Sequence, residues 1–204
     1  MDQPVYNDRM NKYISLRKLN RLLRGQKPFI VMWTLKPCPD CIAVRERFLP
    51  AYIDKDFKTN LPLYFIETLK YRKMKDKTKW ENIKRIYGLS EELNPKSGYG
   101  TGFVPAFQVI TPDGTNYVKM GDISPIITDM FVFQNEFVRE ENGTFVIDQS
   151  YFNGKRGTTY LGKYTSEINT VVTSDIVNPR NNSVRRYDEN AAYLTKFLDY
   201  YYKA

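Results

Sequence analysis

Residues 28–41 read PFIVMWTLKPCPDC, and this stretch decides the fold. Pro28 to Trp33 is a continuous apolar run, the pattern of a strand buried on both faces rather than one. The polar KPCPDC follows, and Ile42, Val44, Phe48 and Leu49 then fall at mixed helical spacing. Pro50 is expected to kink or end that helix. A strand, a short turn and a helix in this order put Cys38 at a helix N-terminus. Unpaired N–H groups and the macrodipole favour negative charge there. A thiolate at that position is stabilised, so its pKa falls below the free value of about 8.5. Pro39 suits the first helical turn, where its missing N–H costs nothing. Cys41 lies one turn on, placed to attack a mixed disulfide formed at Cys38.

The elements around this stretch alternate between helix and strand, the texture of an α/β domain. Residues 15–24 predict a helix, with Ser15 as N-cap, Leu16, Leu19 and Leu23 on one face and Gly25 beyond the end. Leu63 to Ile66 predicts a second buried strand. A charged helix over 75–87 places Trp80, Ile83 and Tyr87 on one face and is closed by Gly88. Residues 90–102 are polar and Gly-rich and read as a loop. Phe103 to Ile110 predicts a third strand with Pro105 near its start, Pro112-Asp113-Gly114 a turn, and Tyr117 to Met120 the beginning of a fourth strand. Beyond residue 123 the texture changes. Alternating residues 131–139, the Asn142-Gly143 pair and the apolar 144–148 predict a β-hairpin. Residues 151–187 read as further short strands or irregular loops, and 189–203 as an amphipathic final helix.

Composition narrows the chemistry. The chain of 204 residues has no His, which removes Ser-His-Asp and Cys-His catalysis and every His-containing metal site. Its 2 Cys cannot build a disulfide framework or, within one chain, a complete four-cysteine zinc site, while exchange chemistry at such a pair would itself require no metal and no dissociable cofactor. No apolar run approaches the roughly 18 residues of a membrane span. The start, MDQPVYNDRM, lacks a charged segment followed by an apolar one, so no signal peptide is expected. The compartment expected is the cytoplasm. The alternative is a periplasmic or secreted chain whose signal peptide has been removed. The formal charge of +8 admits acidic partners, membranes or nucleic acid. The basic stretch from Lys70 to Arg85 interleaves aromatics with Lys and Arg, but no nucleic-acid motif accompanies it. It reads as a solvated helix face, and nucleic acid is not expected as a partner.

With these residues in place, the chain resembles the thioredoxin superfamily. FIVMW ahead of CPDC, Tyr87-Gly88-Leu89, Gly102-Phe103-Val104-Pro105 with the apolar strand ending in PDG, Gly121, and Leu194 to Leu198 near the end all resemble that family's course. The resemblance covers about 15–122 and 188–204. It implies one thioredoxin-like domain over 1–204, with a mixed central sheet flanked by helices and a β-rich insertion at 123–187. It implies a cis Val104–Pro105 bond, with Val104 and Pro105 lining the site and holding the backbone of an extended substrate. It implies thiol–disulfide exchange on protein substrates, Cys38 attacking and Cys41 resolving, with a reductase or oxidase as redox partner. Met32 stands where thioredoxins proper carry a buried Asp, and Pro37 where they carry a Trp. Asp40 should raise the Cys38 pKa and Lys36 should oppose it. The potential expected is nearer the reducing end of the roughly −270 to −120 mV range. A rival reading makes the chain a thioredoxin-fold interaction module whose insertion binds a partner and whose cysteines are not catalytic.

Overall fold

The computed structural model describes residues 12–53, 61–89, 104–133, 138–141, 144–147 and 182–202. Five strands form its main sheet: β1 (Lys12–Tyr13), β2 (Phe29–Thr34), β3 (Leu63–Glu67), β4 (Ala106–Ile110) and β5 (Ile127–Val132). They lie in the order β1-β3-β2-β4-β5. The pairs β1/β3 and β2/β3 are parallel, while β2/β4 and β4/β5 are antiparallel, so the sheet is mixed. Every residue of β2 and β4 is buried, as a strand covered on both faces requires.

Helices supply both covers. Phe29, Val31 and Trp33 share one face of β2, by the two-residue period of a strand. On this side pack α1 (Leu16–Leu23) and α5 (Lys77–Ile86). The Trp33 indole N–H donates to Gln108 Oε1 at 2.8 Å, and Gln108 Nε2 donates to the Tyr87 and Gly88 carbonyls at the end of α5. The Tyr87 hydroxyl in turn donates to Asn20 of α1 at 2.6 Å. Gly88, with φ of +68°, ends the helix in the left-handed region that a side chain disfavours. The final helix, α7 (Asn182–Tyr202), covers the opposite face. Phe197 meets Phe131 of β5 at 5.5 Å between ring centroids. The Tyr201 hydroxyl donates to buried Asp129 at 2.6 Å. α1 begins where expected, with the Ser15 side chain accepting from the Lys18 N–H.

Three expectations change. Tyr117 to Met120 is not a strand but a helical turn, α6, capped by the Asn116 side chain and ended by Gly121 at φ +80°. The last strand of the main sheet is Ile127–Val132, which lies inside the stretch expected as an insertion from 123. Any insertion between sheet and final helix therefore begins beyond residue 133. Pro50 does not end its helix. Helix α2 (Pro39–Ile42) continues through a π-helical segment, Ala43–Phe48, into α3 (Leu49–Ile53). The Leu49 N–H bonds back five residues to Val44, and this wider turn accommodates a proline ring that would crowd an ordinary α-turn. Strands β6 (Val138–Glu141) and β7 (Thr144–Ile147) pair antiparallel as a separate two-stranded sheet, with the second arm where the hairpin was expected and the first shifted from 131–139 to 138–141, because 131–132 belong to β5. The Asn142-Gly143 turn and residues 151–181 lie outside the described residues, and the end of the region expected to be irregular over 151–187 is instead helical, because α7 starts at Asn182.

Candidate active site

Strand β2 delivers the chain to Leu35, a turn follows, and Cys38 becomes the N-cap of α2. Its backbone is extended, with φ −75° and ψ 123°, and Pro39 opens the helix. The Cys38 sulfur accepts a hydrogen bond from the Cys41 N–H at 3.4 Å, taking the place of the usual Ser or Asp cap oxygen. Its own thiol donates to the Val104 carbonyl at 3.4 Å. The Val104–Pro105 bond is cis. The structure thus brings together four of the predicted residues, Cys38, Cys41, Val104 and Pro105, where the end of β2 meets the start of β4. Both cysteines are free thiols. Cys38 is half-buried and Cys41 fully buried.

The two sulfurs are driven apart in acidity. The Cys38 pKa is lowered to about 7 by a hydrogen bond from the Cys41 side chain. The Cys41 and Asp40 backbone N–H groups assist, while burial and the Asp40 carboxylate oppose. Burial, followed by the bond to Cys38, pushes the Cys41 thiol far up. Of the two, Cys38 is the sulfur that ionises first, while Cys41 keeps its proton.

Lys36 serves the site through its backbone. Its N–H donates to Glu67 Oε1 at 3.3 Å, and its carbonyl accepts from Arg45 Nη2 at 3.4 Å. The same Glu67 oxygen accepts from the Leu69 N–H at 2.9 Å, so one carboxylate joins the loop before Cys38 to the start of α4 (Leu69–Arg72).

Several contributors escape a reading of sequence alone. Cys41 Sγ accepts from the Leu35 N–H at 3.3 Å, and buried Thr34 also hydrogen-bonds it. Arg45 Nη1 donates to Thr34 Oγ1 at 2.8 Å, which polarises that hydroxyl toward sulfur. Arg72, on α4, is held at Thr68 Oγ1 and lies in the field of both sulfurs and of Glu67. Thr34 and Glu67 are register partners across β2 and β3, so Glu67 could not be placed beside the loop before Cys38 without the strand pairing. Met32 is fully buried in the core.

Among the described residues no group of three or more Cys, Asp or Glu is arranged to hold a metal. No helix among them is long and apolar enough to cross a membrane. No model of a known protein family matches this sequence, and no curated protein matches it either.

Proposed function

We propose that this chain is a thioredoxin-like thiol–disulfide oxidoreductase acting on protein disulfides. One observation carries the reading. An accessible Cys38 sulfur of lowered pKa sits at a helix start, its mate is buried one turn behind, and the carbonyl before a cis proline faces it. A mixed sheet flanked by helices, with this pair at the end of a buried strand, supports placing the chain with the thioredoxin superfamily.

The reaction follows from the geometry. The Cys38 thiolate attacks one sulfur of a substrate disulfide, forming a Cys38–substrate bond and expelling the other substrate sulfur as a thiolate. Ionisation of Cys38 has already released the hydrogen bond that its thiol gave to the Val104 carbonyl, so that carbonyl is open to an N–H from an extended substrate segment. Cys41 gives up its proton, attacks Cys38 and expels the second substrate thiolate. The substrate gains two electrons, and Cys38 and Cys41 become a disulfide. A thiol reductant or a protein redox partner must restore the pair. A Cys38 pKa near 7 matches a reducing member better than the far lower values of strong oxidants.

The test is trapping. Cys41→Ser should accumulate covalent adducts with protein disulfide substrates, Cys38→Ser should accumulate none, and the native chain should reduce insulin with dithiothreitol as reductant. A native chain that leaves insulin untouched, together with a Cys41→Ser variant that traps nothing, refutes the proposal.

A further inference from the structure

The segment Lys70–Arg85 carries eight basic side chains against two carboxylates, a net +6 within a chain of +8. Both acids are engaged locally. Asp76 caps α5 through Thr78, and Glu81 pairs with Lys84 at 2.7 Å. Lys70, Lys73, Lys75, Lys77 and Lys79 are all exposed.

This surface is anchored to the redox site. β2 and β3 are parallel neighbours, so CPDC and α4 both leave the sheet at the same end. Glu67 fixes that adjacency by accepting from the N–H groups of Lys36 and Leu69. The Arg72 guanidinium lies 4.9 Å above the Trp80 ring, continuing the basic surface from α4 onto α5. Two carboxylates beside the CPDC loop are turned into the fold. Asp40 is buried at the helix start, and Glu67 binds two backbone N–H groups.

Building on the exchange activity proposed above, we propose that the protein substrates of Cys38 are acidic, and that they dock on the Lys70–Arg85 surface while their disulfide reaches the sulfur. Opposite charge across such a surface raises the encounter rate, and salt screens that gain.

The experiment compares three disulfides under dithiothreitol: a cystine peptide flanked by glutamates, the same peptide flanked by lysines, and neutral bis(2-hydroxyethyl) disulfide. At about 10 mM ionic strength the acidic peptide should be reduced about 10-fold faster than the basic one. At about 1 M salt, where the Debye length is about 3 Å, the two should agree within about 2-fold. The combined variant Lys73→Glu, Lys75→Glu, Lys77→Glu, Lys79→Glu, with its folding checked by circular dichroism, should abolish or invert the preference. Equal rates at low salt in the native chain overturn the proposal. So does a preference that the variant retains, or a variant that loses binding to a short single-stranded RNA while its peptide rates stay unchanged. If the native chain consumes the neutral disulfide no faster than Cys38→Ser, the exchange reading itself has failed, and the docking proposal falls with it.

Discussion

Replacing Cys41 by Ala isolates the interaction that sets Cys38 reactivity. The chain has 2 Cys, so the variant holds a single thiol and every titration reads Cys38 alone. The native thiol ionises about 7, chiefly because the Cys41 side chain donates to its sulfur. A hydrogen bond to a charged group is worth about 1.5–3 kcal/mol. Cys38 is half-exposed, so water competes for the vacated position and the low end applies. At 1.36 kcal/mol per pH unit, the midpoint should move up by about one unit. The backbone N–H of Cys41 survives the substitution, which keeps the midpoint from rising further. At pH 7 the thiolate then falls from about half of the molecules to about a tenth. Each remaining thiolate is about 3-fold more nucleophilic, by a Brønsted slope of about 0.4–0.5. The net rate toward a neutral disulfide such as 4,4′-dithiodipyridine should drop about 2-fold at pH 7, while above pH 9 the variant should overtake the native Cys38. Thiolate absorbance near 240 nm followed against pH gives the midpoint directly. A variant whose midpoint stays near that of the native chain would refute the account, since the backbone and helix terminus would then suffice without Cys41.

Cys38→Ala leaves only Cys41, whose burial holds it protonated, so alkylation should stay slow through about pH 9; rapid labelling at pH 7 would contradict the buried position. Thr34→Val should lengthen the lifetime of the Cys38 mixed disulfide several-fold, because the Cys41 thiolate loses a donor, and Thr34→Ser should restore it; single-turnover kinetics after substrate mixing decides. Gln108→Leu strands the Trp33 indole N–H and the carbonyls at the end of α5, and should cost about 2–4 kcal/mol in urea unfolding. Tyr201→Phe removes a donor from buried Asp129 and should cost about 1–3 kcal/mol in the same measurement, with little change in insulin reduction because the pair lies away from the sulfurs.

What the sequence made legible is what adjacent residues decide. The apolar run into CPDC, the Ser15 cap and the one-turn spacing of the cysteines are all local, and each is found where the pattern puts it. Tyr117–Met120 failed because four residues fit either a strand or a helical period. The punctuation around them, Asn116 before and Gly121 after, was the better guide: a side-chain cap and a left-handed terminus define a helical turn. Taking that turn as the last strand displaced the real one. Ile127–Val132 was then divided between the supposed insertion and its hairpin, although its burial marks it as core.

The polar groups around the CPDC turn are hidden for a different reason, because they converge through strand register. Thr34 comes from the end of β2, Glu67 from the paired end of β3, Arg45 from the helix that carries the cysteine, and Arg72 from the helix beyond β3. None is remarkable by spacing. Their meeting also changes the meaning of Met32. In the proposed exchange, an apolar Met32 leaves the resolving Cys41 without a carboxylate at that position. Thr34 lies on the same face of β2, two residues nearer the site, with its hydroxyl turned to Cys41 by the Arg45 guanidinium. A neutral donor backed by a fixed cation stabilises the Cys41 thiolate as it forms, without itself accepting the departing proton. In the proposed exchange the proton would leave through solvent or the substrate thiolate, and the support behind Cys41 is electrostatic.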